Sequence, residues 1–222
     1  MNVNDRFRIV TVCTGNIHRS ALAAALLRRW ADWYLPDAVA RHVEVGSVGT
    51  SAPVGEPAGV EITAIAASLG ADVSDHLARK LDDHAVLGTD LVLTATRRHR
   101  EAVIAAAPST LRTTFTIREI GRVAEHVDAP SITGIEDLRR RVATLSDARE
   151  VAEPRPDLDD VVDPDGREPE VYVQMVQQQV APLVHLAHAL FGMPRPDVRA
   201  YLEAVASTGE LTERVRAAGA NR

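Results

Sequence analysis

The chain has 222 residues, 45% of them hydrophobic and 25% charged, with a formal net charge of −6. That apolar content supports a packed core and excludes wholesale disorder, while the acidic balance argues against general nucleic-acid binding, which needs a basic surface. The single cysteine excludes an internal disulfide and any multi-cysteine metal site.

The N-terminal "MNVNDRFRIV" lacks the apolar region of a leader. No stretch has the uninterrupted apolar length of a membrane span. A cytoplasmic chain with no membrane partner is expected.

Phe7 to Val12 is a short β-branched apolar run, ended by the turn residues Thr14-Gly15-Asn16. It reads as a strand buried on both faces. From Ser20, Leu22, Leu26, Trp30 and Trp33 recur at helical spacing. Strand, glycine loop and helix form the first half of a βαβ unit. His42 to Val48 is a second strand, followed by the loop "GTSAPVGEPAG" and a helix over Glu61 to Leu69 that Gly70 stops. Asp90 to Thr94 is a third strand, Arg97 to Ala107 a helix ended by Pro108, and Thr113 to Ile117 a fourth strand. The alternation predicts an α/β fold: a small, doubly wound, parallel four-stranded sheet flanked by helices.

Beyond it, Ile117, Ile120, Val123 and Val127 are helically spaced, and Thr133 with Glu136 reads as a capping box for another helix. The linker "EPRPDLDDVVDPDG" follows. Tyr172 to Leu190 carries a long apolar stripe, with a kink expected at Pro182. Asp197 to Ala218 reads as one last amphipathic helix. Arg139-Arg140-Arg141 reads as a solvated helix face. Arg97-Arg98-His99-Arg100 lies where an open sheet gathers its ligands and could raise the local positive potential.

The stretch with chemistry is "IVTVCTGNIHRS". Cys13 stands where strand becomes loop, and Arg19 opens the following helix. The amides of Thr14, Gly15, Asn16, Ile17, His18, Arg19 and Ser20 can curl into a nest that binds a tetrahedral oxyanion. The same field favours thiolate over thiol at Cys13. Arg19 supplies a bidentate fork for two phosphate oxygens. Gly15 permits close backbone approach, and Asn16 tolerates a left-handed turn. Ser20 can donate to the sulfur and stabilise it as a leaving group. A bare Cys-x5-Arg also arises by chance around an inert buried thiol; the strand, the Gly-Asn pair and the helix are what point to function.

These residues resemble the signature V-C-x-G-N-x-C-R-S-P of the low-molecular-weight protein tyrosine phosphatases. "VGSVGT", "LGADVSDHLARKL", "DLVLTATRRH" and "VVDPDG…VYVQMVQQQVAPLV" resemble later family segments, in family order, over residues 7–117 and 159–191. The resemblance implies a phosphomonoesterase in which Cys13 attacks phosphorus, Arg19 and the loop hold the equatorial oxygens, and Asp163 protonates the leaving group and then activates water. It implies no cofactor and no metal. By similarity, Asn16, Ser20, Ser47 and His76 form the hydrogen-bond network that holds the loop open.

Read alone, Asp163-Pro164-Asp165-Gly166 is an ordinary β-turn, and His76 an ordinary structural histidine. Asp159 and Asp160 are rivals for the acid role, but neither precedes proline. Asp163 and Asp165 form no complete calcium loop. The chain also departs from the family. His18 replaces a cysteine that could form a protective disulfide, and reads as a loop or rim residue. Ala21 replaces a proline. No aromatic residue stands in "SAPVGEP" or at Asp165, where a phenyl ring would look for stacking partners.

The expected organisation is one domain over 1–222, with a helical insertion at 118–158 and a helical extension at 194–222 through which oligomers could form. The expected partner is a phosphorylated protein or a small phosphate ester. Three alternatives stay open: a single-cysteine, arsenate-reductase-like thiol enzyme, a phosphatase for small phosphate esters, and a non-catalytic phosphate-binding module.

Overall fold

The computed structural model describes residues 5–128, 131–149 and 155–220. Four parallel strands form one sheet: β1 (Phe7–Cys13), β2 (Val43–Gly49), β3 (Leu91–Thr94) and β4 (Thr114–Thr116), in the order β2-β1-β3-β4. The chain leaves β1 for one neighbour and returns to its other side for β3. The C-terminal ends of β1 and β3 therefore flank a topological switch point, where open α/β sheets gather ligands. Cys13 is the last residue of β1 and pairs in register with Gly49, the last of β2.

The helices are α1 (Arg19–Tyr34), α2 (Asp37–Ala40), α3 (Val60–Ser68), α4 (Asp83–Val86), α5 (Arg97–Ala106), α6 (Ile117–Ala124), α7 (Ile135–Ala148), α8 (Pro169–Phe191), α9 (Arg195–Ala206) and α10 (Thr208–Gly219). Strand alternation divides the core between two faces. Phe7 and Ile9 of β1 join Leu22, Leu26, Trp30, Ile120 and Leu183 in the larger cluster. Val10 and Val12 join Val48, Val86, Val92 and Val103 in the smaller one, under α4 and α5. Burial on both faces is why these strands read as continuous apolar runs.

Several expectations need correction. Trp33 is half exposed, with the Arg29 guanidinium 4.1 Å from its ring centre, rather than in the core with Trp30. Helix α7 is capped by Asp137, whose carboxylate accepts from the amides of Thr133 and Gly134 and from the Thr133 hydroxyl. Glu136 pairs with Arg139 instead. The arginine triplet is not one solvated face. Arg141 is buried and donates to the carbonyls of Asp128 and Ala189, Arg139 reaches Asp90, and only Arg140 is exposed. Charge composition does not reveal a buried arginine whose acceptors are distant backbone carbonyls.

The predicted final helix is two helices, α9 and α10, broken at Ser207. The break lets Val205 and Tyr201 pack on one part of the core and Leu211 and Val215 on another. Helix α8 continues through Pro182, whose ring lies where a side chain on Gly121 of α6 would stand: a Cβ there would be 2.5 Å from the proline Cβ. Glu153 and Pro154 of the acidic linker, and Asn221 and Arg222 of the extension, lie outside the described residues.

Candidate active site

The loop after β1 wraps around Cys13. The Cys13 sulfur is 3.0 Å from Ser20 Oγ and accepts from the Asn16 amide at 3.3 Å. Asn16 is the one non-glycine residue with positive φ among those described, at 56°, where asparagine is tolerated because its short polar side chain bonds locally. Here that side chain holds three partners. Its Nδ2 donates to Ser20 Oγ at 2.9 Å and to Ser47 Oγ at 2.8 Å, and its Oδ1 accepts from the Arg79 amide at 2.8 Å. His76 Nε2 donates to the Asn16 carbonyl at 2.6 Å, and burial pushes the His76 pKa down. Thus Asn16, Ser20, Ser47 and His76 meet in one network. The amides of Gly15, Ile17 and His18 donate to no protein acceptor among the described residues.

Arg19 is the first residue of α1 and is 3% exposed, so its guanidinium is desolvated and must be matched. Nη1 donates to the Val161 carbonyl at 3.3 Å, and Nη2 to Thr14 Oγ1 at 3.4 Å and to Asp163. Nε is buried with no hydrogen-bond partner among the described residues. Asp163 comes from the loop before α8, which two bonds fix in place. The Val161 amide donates to the Ala95 carbonyl at the end of β3, and the Val162 amide to Gln178 Oε1 of α8, both at 2.8 Å. The two rival carboxylates are engaged elsewhere, Asp159 with Arg122 and Asp160 with the Arg97 amide.

These groups line a pocket of about 190 Å³, walled by Cys13, Thr14, Gly15, Ile17, His18, Arg19, Ser51, Pro53, Asp163 and Asp165. None of the lining residues is Phe, Tyr or Trp. Among the described residues no group of three or more His, Cys, Asp or Glu side chains converges as metal ligands would. No helix among them is long and apolar enough to cross a membrane.

His18 lies in the loop just before α1 and lines the pocket, and it is buried. Its ring meets the Tyr172 ring edge-on at 5.7 Å and lies where a side chain on Gly59 would stand. Burial lowers its pKa, against the raising effect of Asp165, whose carboxylate is 3.9 Å from Nδ1.

A family model described as low molecular weight phosphotyrosine protein phosphatase matches residues 8–152. The chain belongs to this family. It is a cysteine-dependent hydrolase of phosphoric monoesters. Among its relatives, a probable low molecular weight protein-tyrosine-phosphatase, EpsP of Ralstonia solanacearum, is 35% identical over 112 residues, 50% of this chain and 71% of that one. The fold is shared with the YwlE arginine phosphatase, in a mutant whose active-site serine is phosphorylated (TM-score 0.59, 22% identity, 86% of this chain and 99% of that one). It is shared also with Wzb of Vibrio vulnificus in complex with benzylphosphonate (TM-score 0.57, 20% identity, 83% and 99%).

Three features of this phosphatase-family site escaped sequence reasoning. His99, taken for part of a basic helix start, is buried, and its Nε2 shares a hydrogen bond with Thr14 Oγ1 at 3.0 Å while Nδ1 does so with Thr96 Oγ1 at 2.8 Å. Burial first, then the Arg19 charge, pushes its pKa down to about 4. Gly49 touches the loop: a Cβ there would lie 2.3 Å from the Thr14 carbonyl oxygen and 2.9 Å from the Asn16 amide nitrogen. Gln178 anchors the Asp163 loop. Only Gly49 left a signal, as the glycine that closes "VGSVGT".

Proposed function

We propose that Cys13 is the nucleophile, Arg19 the phosphate grip and Asp163 the general acid and base of a phosphotyrosine phosphatase acting on protein substrates. The observation that carries this reading is the convergence of three groups from separate segments: the Cys13 sulfur, the desolvated Arg19 with an unpartnered Nε, and Asp163 held against that same guanidinium. The tyrosine-phosphate substrate comes from the names of the relatives.

In the proposed cycle the dianionic phosphoryl group enters the loop and takes over the Arg19 fork from Asp163. The loop amides left without a protein acceptor among the described residues, those of Gly15, Ile17 and His18, receive the equatorial oxygens. The Cys13 thiolate attacks phosphorus in line, the P–O bond to the leaving group breaks, and protonated Asp163 gives that oxygen its proton. The Ser20 hydroxyl and Asn16 amide already bond the sulfur, so they stabilise it again as it leaves when water, deprotonated by Asp163, attacks the cysteinyl-phosphate. Ser47 and His76 act through Asn16 and are positioning residues. We read the chain as one domain, with 118–158 as an insertion and 194–222 as an extension.

The test is p-nitrophenyl phosphate hydrolysis by the wild type, Cys13→Ser and Asp163→Asn. Turnover abolished in Cys13→Ser and strongly reduced in Asp163→Asn is expected. A wild type that does not turn over but reduces arsenate with an added thiol would overturn the reading. Phosphate-competable binding without turnover would overturn it too, in favour of a binding module.

A further inference from the structure

A second cavity, of about 310 Å³, opens beside the reaction pocket. Thr14 and Ser51 wall both. The remaining lining is Thr50, Arg98, His99 and Ala102, and its chemistry differs from that of the reaction pocket. There Asp163 and Asp165 present carboxylates. Here there is no carboxylate; there are three hydroxyls and one guanidinium.

The Arg98 side chain is exposed and forms no ion pair or hydrogen bond among the described residues, whereas those of its chain neighbours Arg97 and Arg100 both have partners. The side chains of Thr50 and Ser51 are likewise uncommitted, while their amides donate to the Cys13 and Thr14 carbonyls and so fix them against the phosphate loop. Arg98 also stands in the first turn of α5, a turn without acidic residues. A cation at the positive end of a helix is locally unfavourable, so helix stability does not explain it. Together these features gather positive potential and free donors next to the reacting phosphate.

We propose that this chamber seats a second anionic group of the substrate, a carboxylate or phosphate beside the scissile phosphate, on Arg98 and the hydroxyls of Thr50 and Ser51. The proposal rests on the phosphatase reading above and adds a substrate class to it: esters with a second negative charge on the Arg98 side. For a protein substrate, the group is an acidic residue flanking the phosphotyrosine. Asp165, which lines the reaction pocket, repels the same group, so the pocket orients the substrate as well as selecting it.

The experiment compares phosphotyrosine peptides flanked by Glu or by Gln, with phenyl phosphate and carboxyphenyl phosphate as the small-molecule pair. Each is assayed with the wild type, Arg98→Ala, Arg98→Glu and Thr50→Val. The wild type is expected to favour the Glu peptide by about 5-fold in kcat/KM, mainly through KM, as for a partly exposed charge pair. Arg98→Ala should level the pair, Arg98→Glu invert it, and Thr50→Val reduce it. Arg98→Ala should keep its turnover of p-nitrophenyl phosphate and show no fall in Tm. A preference confined to the small pair would support the subsite and assign it to small esters. Equal kcat/KM within both pairs, or a preference that survives Arg98→Ala, would overturn the proposal. Absence of wild-type p-nitrophenyl phosphate turnover would instead count against the phosphatase reading. The subsite would then be read from calorimetry with non-hydrolysable phosphonate peptides carrying Glu or Gln, where equal affinity overturns it.

Discussion

Replacing Gly49 by alanine tests whether the end of β2 sets the shape of the phosphate loop. The new Cβ would lie 2.3 Å from the Thr14 carbonyl oxygen, where real Cβ atoms essentially never come within 3.0 Å, so the loop or the strand must retreat by about 0.7 Å. The strand is poorly free to move. The Gly49 amide donates to Arg79, its carbonyl accepts from Leu81, and the residue is in register with Cys13. The displacement therefore falls on Thr14 to Asn16, next to the sulfur. Misplacing reacting groups by ~1 Å costs on the order of 10²-fold, so kcat/KM for p-nitrophenyl phosphate should fall roughly 10- to 100-fold. Overpacking of this kind costs about 1–3 kcal/mol, and each kcal/mol lowers Tm by about 2–4 °C in a chain of this size. Calorimetry alongside kinetics separates the two effects at a temperature where the variant is fully folded. Gly209→Ala, on α10 with open space around it, is the control and should leave activity unchanged. A folded Gly49→Ala with kcat/KM within about two-fold of wild type would refute the steric reasoning.

Stability should fall as the pH drops from about 6.5 to about 4, because His99 has its pKa depressed to about 4 from 6.5 and the unfolded chain binds the proton first. At ~1.4 kcal/mol per unit the contribution of His99 approaches about 3 kcal/mol. His18 and His76 act with the same sign. Urea titrations of the wild type and His99→Asn at pH 5 and 7 check this, and an equally steep pH dependence in the variant would count against it. Arg141→Met should cost about 1–3 kcal/mol, because it strands the buried Ala189 carbonyl and removes the bond to the Asp128 carbonyl. Arg140→Met, on the surface, should stay within about 0.5 kcal/mol by the same denaturation assay. Peroxide should inactivate in two phases, the first reversed by added thiol and the second, through sulfinic acid, permanent. Mass spectrometry of the Cys13 peptide reads the products, and full recovery after prolonged exposure would be the contrary result.

The sheet was legible in the sequence mainly through β1 and β3, short apolar runs buried on both faces. The phosphate loop was legible because its needs are local: a positive φ at Asn16 and an arginine at the start of α1 follow from consecutive residues. What stayed hidden depends on groups distant in sequence. His99 looks like one more basic residue beside Arg97 and Arg98, and only the crossing of α5 behind Thr14 buries it. Arg141 looks like its neighbours until helix packing places it under Ala189. The burial of His18 leaves no trace in "NIHRS", because nothing there announces Tyr172 of α8 as its neighbour. The break at Ser207 was missed because the apolar stripe continues on both sides of it.

The lone thiol, half an obstacle to redox protection, is also an internal gauge. Because the chain carries one cysteine, one equivalent of a thiol-alkylating reagent consumed reports one vacant, reactive pocket, with no background from other thiols. Cys13 is 1% exposed and lines the reaction pocket, so a reagent must enter that pocket to label it. Slowing of that labelling by phosphate, vanadate or a peptide would give their occupancies directly. The fraction of a preparation able to react can thus be titrated without knowing its natural substrate.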